Sequence, residues 1–193
     1  MMVTLLSVVI IALYLLAGVI WFARRRPEYR HIHHTISELG EAGAPDARLV
    51  SYGLFAPVGA GLLLLGGLSH PAEVGDSLRG AFGALAIAVG IGYLGAALFP
   101  CDPGSPLTGS KRQQIHNLAG GIEYLGAAFA LFNAGQLLPE ASFLRWWFVF
   151  STWIAAGAAI ALSITPARPL RGLLQRGAEI VIFGNLILLA WLG

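Results

Sequence analysis

The segment His31-Ile32-His33-His34-Thr35-Ile36-Ser37-Glu38-Leu39-Gly40 puts three imidazoles, two hydroxyls and a carboxylate within eight residues. Imidazole titrates near neutrality and ligates transition metals, so this set could hold a metal or carry acid–base work. On a helix, His34, Ser37 and Glu38 would share one face. The same residues also admit a structural role. Thr35 and Glu38 have capping-box spacing, Gly40 can end the turn, and histidines rest easily at lipid headgroups.

A second group runs from Phe99-Pro100-Cys101-Asp102-Pro103-Gly104 to His116-Asn117. Its Pro-Gly step makes a tight turn that fixes Cys101 and Asp102. Cys101 could serve as a nucleophile or ligand if its thiol were acidified; a small buried cysteine and a turn-forming aspartate are the structural alternatives. His116, Gly120 and Glu123 follow at spacings of four and seven, on one helix face, with Gly120 leaving room beside them. Glu123 lies about two turns into an apolar run, where an unpaired carboxylate costs roughly 2.5–3.5 kcal/mol. Arg176 and Glu179 begin the last apolar run, and Asn185 lies deeper. Either Arg176 pairs with Glu179 or Glu123 and ties two helices together, or a carboxyl handles protons or a ligand. The candidate ligand-binding residues are therefore Ser37, Glu38, Cys101, Asp102, His116, Glu123, Arg176 and Glu179. His34, His116 and Asp102 are the metal candidates, with no metal and no cofactor called for.

Six apolar stretches must position these groups, at about residues 4–23, 49–68, 80–99, 115–137, 143–165 and 173–192, each near the 20 residues of a membrane crossing. The chain is 56% hydrophobic and 11% charged, against about 25% charged in soluble domains, so it cannot cover a water-soluble core. The expected fold is all-α: a polytopic membrane bundle of six transmembrane helices forming one domain over residues 1–193. The first run ends in Arg24-Arg25-Arg26, the reverse of a secretory signal, and is read as an uncleaved helix with its N-terminus exported. Asp46 is an expected N-cap, Pro57 an expected kink, and Ser110 to Gln113 an expected capping box. Pro100 closes the third run; Pro166 and Pro169 close the fifth.

Ten of the twelve basic residues fall in three connections: Arg24, Arg25, Arg26, Arg30 and Arg48; Lys111 and Arg112; Arg168, Arg171 and Arg176. Only Arg79 and Arg145 lie on the other side. The positive-inside rule then places these three connections in the cytoplasm and both termini outside. His70, Glu73 and Asp76 fall on the opposite face, away from the candidate set. Trp146, Trp147 and Trp153 suit an aromatic belt at the outer interface. The 25 glycines cluster within the spans and imply close helix packing, with a glycine-lined passage as the alternative. One cysteine excludes an internal disulfide. No phosphate loop, His-Glu-x-x-His pair or nucleophile elbow is present. The cations flank apolar runs, so the expected partners are membrane lipids and not nucleic acid; a homo-oligomer stays open.

Thr35-Ile36-Ser37-Glu38-Leu39-Gly40, Leu94-Gly95-Ala96-Ala97-Leu98-Phe99-Pro100-Cys101-Asp102 and His116-Asn117-Leu118-Ala119 together resemble the bacterial domain-of-unknown-function family 998 (DUF 998). The likeness would cover nearly the whole chain and implies a six-helix membrane protein, with no activity to carry over. The Ser-Glu-Leu-Gly block is also similar to a motif of the Frag1/DRAM/Sfk1 group, which includes proteins linked to lipid remodelling. The leading expectation is a bacterial inner-membrane protein that binds or moves a lipid or small amphiphile in a polar pocket near the cytoplasmic leaflet. The alternatives are an intramembrane lipid hydrolase or transferase and a structural membrane protein. In the enzyme, Ser37 or Cys101 would be the nucleophile, His34 and His116 metal ligands or bases, and Asp102 and Glu123 their partners.

Overall fold

Polar, proline-bearing or basic stretches separate the apolar runs, and helices fill what lies between. A computed structural model describes residues 2–164 and 169–193. It contains six long helices: α1 (Met2–Arg24), α2 (Ala47–Gly67), α3 (Leu78–Leu98), α4 (Lys111–Gln136), α5 (Phe143–Ile164) and α6 (Arg171–Leu192). The described residues contain no strand. Thr165, Pro166 and Arg168, counted above in the fifth connection, lie outside them. Five helices are long and apolar enough to cross a membrane; α4 is the exception. It is the longest at 26 residues, but Lys111, Arg112, Gln113, Gln114, His116 and Asn117 make its first turns polar. The helix begins ahead of its apolar run because Ser110 caps it, accepting the Gln113 amide at 3.2 Å as its spacing predicts. The same device opens α3, where the Ser77 hydroxyl accepts the Gly80 amide at 2.9 Å.

The outer helices are apolar all round. On α1 only Val8, Leu15, Val19 and Ala23 are buried, while Leu6, Ile10, Leu13, Leu16 and Trp21 stand exposed. Such a surface suits lipid, where small residues rather than hydrophobicity bring helices together. Gly59 and Gly66 of α2 meet Gly90 and Gly83 of α3. A Cβ on Gly59 would come within 2.6 Å of the Leu94 backbone nitrogen, and one on Gly66 within 2.9 Å of the Gly83 carbonyl. Pro57 lies just past a π turn, Ser51–Phe55, in α2. Proline removes the amide that would bond the carbonyl four residues back, at Gly53; the Tyr14 hydroxyl of α1 donates to that carbonyl instead. Asp46 precedes α2 but makes no side-chain cap. Its carboxylate accepts from Arg25 Nε at 2.8 Å, an ion pair that competes for the same oxygens.

The three basic connections interlock at one end of the bundle. Ala42 N–H donates to the Cys101 carbonyl at 2.9 Å, and Leu173 N–H to that of Ile32 at 3.1 Å. The Arg171 guanidinium donates to the Gly104 and Ser105 carbonyls at 3.1 and 2.9 Å. At the other end, Thr4, Ser69, Arg79 and Gly193 line one small cavity, so both chain ends lie with the second connection. The motif-bearing stretches, far apart in sequence, therefore meet.

Candidate functional site

Where the interlocked connections meet the helix ends, the structure forms a half-open cavity of about 110 Å³. The first connection supplies Thr35 and Ser37 to its wall, and the third supplies Ser105, Pro106 and Leu107. Gly92 and Ala96 of α3, His116, Asn117, Gly120, Gly121, Glu123 and Tyr124 of α4, Ala159 and Leu162 of α5, and Arg171 and Gln175 of α6 complete it. The face predicted for His116, Gly120 and Glu123 thus lines one space. Cβ atoms added at Gly120 and Gly121 would meet nothing within 4 Å. A second cavity of about 510 Å³, lined by His33, His34, Glu38 and Thr108, adjoins it through shared walls at Pro106, Leu107, Leu162, Ser163 and Arg171.

Glu123 forms the deep end. It is only 7% exposed, and its Oε1 has no hydrogen-bond partner among the described residues. Its carboxyl lies against that of Glu179. Glu179 accepts the Tyr93 hydroxyl at 2.9 Å and the Tyr124 hydroxyl at 2.8 Å. Gly92 supplies the space for the Glu123 side chain, because a Cβ there would overlap the Glu123 Cβ and carboxyl carbon, both 2.6 Å away. At the other end of the same helix face, His116 Nδ1 sits 3.0 Å from the Phe99 carbonyl. A carbonyl only accepts, so Nδ1 carries the hydrogen and the neutral ring keeps Nε2 as an acceptor.

Arg176 joins neither carboxyl. Its guanidinium donates to the carbonyls of His31 at 2.6 Å, His34 at 2.8 Å and Gly172 at 3.0 Å, and to the Tyr29 hydroxyl. It also stacks over the Tyr29 ring, 5.6 Å from its centroid. The expected pairing with Glu123 or Glu179 therefore gives way to a tether for the first connection, in which three carbonyls and the Tyr29 hydroxyl take the guanidinium's hydrogens. Burial pushes the Tyr29 phenol up to about 12, and it donates to the Thr35 carbonyl at 2.8 Å.

Glu38 is committed locally: its Oε1 accepts both the Thr35 amide and hydroxyl at 2.9 Å, half of the capping box its spacing suggests, while the Thr35 hydroxyl caps no amide. The turn it closes is a single one, Ser37–Gly40, so the helical face expected for His34, Ser37 and Glu38 is not built. His34 Nδ1 accepts the Arg30 amide at 2.8 Å. Cys101 is fully buried with Sγ 3.5 Å from the Ser37 carbonyl. Burial, then the nearby Glu41 and Glu38, push its thiol up to about 12. A thiol so placed is a poor nucleophile. Asp102 is a turn former: its oxygens accept the Ser110 amide, the Ser110 hydroxyl and Arg112, each at 2.8 Å. Those bonds, the Ser110 amide first, hold its carboxyl below the usual range. Neither Cys101 nor Asp102 lines either cavity. His34, His116 and Asp102 are each engaged separately, and no group of three His, Cys, Asp or Glu among the described residues is placed to hold a metal ion.

Several residues of the site carry no signal in a one-dimensional reading. Gln113 is fully buried and stitches the third connection, donating to the Pro106 carbonyl and Asn117 at 2.8 Å while accepting from the Asp102 amide at 2.6 Å. Glu41 joins the first and third connections by accepting from Arg26 and from the Gly104 amide, the latter at 2.7 Å. Tyr93 and Tyr124 could have been singled out, since buried hydroxyls in apolar helices need partners. A family model described as "Protein of unknown function (DUF998)" matches residues 8–192. No curated protein and no solved structure matches the chain.

Proposed function

The chain belongs to the DUF998 family, and on that premise we propose that it binds or moves a lipid or small amphiphile, whose head enters the cavity between Ser37, His116 and Glu123. In this reading α4 also crosses the bilayer, giving six spans. The protein lies in the bacterial inner membrane, the interlocked end is cytoplasmic and both termini are exported. The bias of basic residues supports that orientation. The extensive packing of α4 against α3 and α5, both apolar enough to span, supports the sixth crossing.

One observation carries the proposal: a cavity with polar groups at its deep end and Gly120, Gly121, Ala159 and Leu162 along its flank. Ligand sites commonly combine a mostly apolar wall with a few aimed polar groups. The enzyme reading has lost Cys101 to burial and Asp102 to its turn. Lipidomic mass spectrometry of purified protein tests the binding role. An amphiphile enriched with the wild type and lost from Gly121→Leu, which fills the cavity, is the expected result. No enrichment over an unrelated membrane protein, or equal enrichment in the variant, would overturn it. A reporter fused after Gly193 tests the orientation and should be active only outside the cytoplasm.

A further inference from the structure

The cavity ends on the Glu123 carboxyl, which lies against that of Glu179, with no cation set against the pair among the described residues. Glu123 and Glu179 lie in contact, and the groups facing them are the hydroxyls of Tyr93 from α3 and Tyr124 from α4. His116 and Arg171 belong to the same cavity wall. Arg176, the nearest basic residue in sequence, is spent on the first connection. Two carboxyls this close in an apolar surrounding do not both remain charged unless something outside the pair compensates them. That compensation is a proton held between them or a cation entering from the cavity. Glu179 already has its tyrosine donors, whereas Glu123 Oε1 is buried beside the cavity with no partner among the described residues.

We propose that the cavity selects ligands with a cationic amine head, with Glu123 as counter-ion and Glu179, held by Tyr93 and Tyr124, as the fixed carboxyl behind it. This rests on the amphiphile-binding reading and narrows it to ammonium-bearing molecules. A compact metal ion fits less well, because no three ligating side chains are grouped there among the described residues. A volume of about 110 Å³ with a glycine flank exceeds what a bare ion needs and leaves room for an ammonium with its first carbons. When the ligand is absent, one proton is shared by the pair; on binding, the ammonium replaces it and the proton leaves to solvent.

Calorimetric titration of hexylamine and hexan-1-ol into full-length protein in phosphatidylcholine nanodiscs, with empty nanodiscs subtracted, tests this at pH 7. The amine should bind at least about tenfold tighter than the alcohol. Its heat should vary with the ionisation enthalpy of the buffer as a proton is released. Glu123→Gln should erase the preference, whereas Glu140→Gln, at an exposed carboxylate outside the cavity, should keep it. The amine–alcohol comparison in the wild type needs no variant, so a poorly folding mutant leaves the test intact. Equal binding of amine and alcohol, both abolished by Gly121→Leu, would overturn the cation preference and leave the amphiphile site standing. Binding of neither, or binding that Gly121→Leu does not touch, would overturn both.

Discussion

Two polar clusters lie inside this apolar bundle, and they differ in completeness. Around Asn185, fully buried on α6, every polar side-chain group is answered. Its Oδ1 accepts Trp147 Nε1–H at 3.0 Å, and its Nδ2 donates to Ser151 Oγ at 3.0 Å and the Val181 carbonyl at 2.8 Å. Asn185 borders none of the cavities described. Around Glu123, two carboxyls meet, one oxygen is orphaned and the group opens on a cavity. Buried polar groups are normally paired because leaving one unpaired is costly. The finished network is what helix-to-helix glue looks like. The unfinished one leaves a buried oxygen without a partner among the described residues, and the proposed ligand role rests on that opening.

The largest expected effect breaks the finished cluster. Asn185→Leu strands Trp147 Nε1–H and the Ser151 hydroxyl between α5 and α6, and should destabilise the protein by about 1–2 kcal/mol. Unfolding in mixed micelles, followed by Trp fluorescence, would measure it. Ligand capture should survive in the fraction that stays folded. If stability were unchanged, the Asn185 network would not be the glue it is taken for here.

The counterpart substitution, Glu123→Gln, should move stability by no more than about 0.5 kcal/mol, or raise it, since it removes a buried acid while its amide can still donate to the adjoining Glu179 carboxyl. A large loss in the same unfolding assay would class Glu123 with Asn185 as structural and dissolve the contrast between the clusters.

Apolar run length and basic flanks fix the helices because both act locally, residue by residue, and α3 ends at Leu98, close to where its run stops. The face shared by His116, Gly120 and Glu123 was legible for the same reason: helical periodicity is a local property. The partners of Arg176 were not. Its choice of the His31 and His34 carbonyls over Glu179, three residues away, depends on how the first connection folds back over α6, across more than a hundred residues of chain. Trp147 shows the same limit. Sequence groups it with Trp146 and Trp153 as an interfacial belt, and those two are indeed exposed, but Trp147 turns inward to Asn185. Asp46, expected as an N-cap, pairs with an arginine and caps nothing, whereas Asp102, expected as a turn former, binds both the Ser110 turn and Arg112.

The interlocked end yields a smaller effect with a defined pH window. Asp102 is held below its usual range by the Ser110 bonds and Arg112. A carboxyl depressed on folding stabilises the native state above its unfolded value, roughly 3.9, and loses that contribution as pH falls through the lower folded value. Asp102→Asn should therefore be less stable than wild type at pH 7, and the two should converge in acid, once pH has fallen through that lowered value. Thermal melts at neutral and acid pH would show it. A difference that persisted in acid would mean that the hydrogen-bond geometry of the turn matters and its charge does not.

The smallest effect is an expected silence. Cys101 is fully buried under the joined first and third connections, with its thiol pushed up to about 12. At pH 8 only about one thiol in ten thousand would be ionised, and thiolate is the reactive form. N-ethylmaleimide, small and membrane-permeant, should leave the folded protein unmodified over an hour and label it fully after denaturation, as intact-mass measurement would report. Because Ala42 N–H bonds the Cys101 carbonyl, reagent can reach the sulfur only if the first and third connections separate. Rapid labelling of the native protein would therefore show that the interlocked end opens, and the cavity it roofs would then be a gated one.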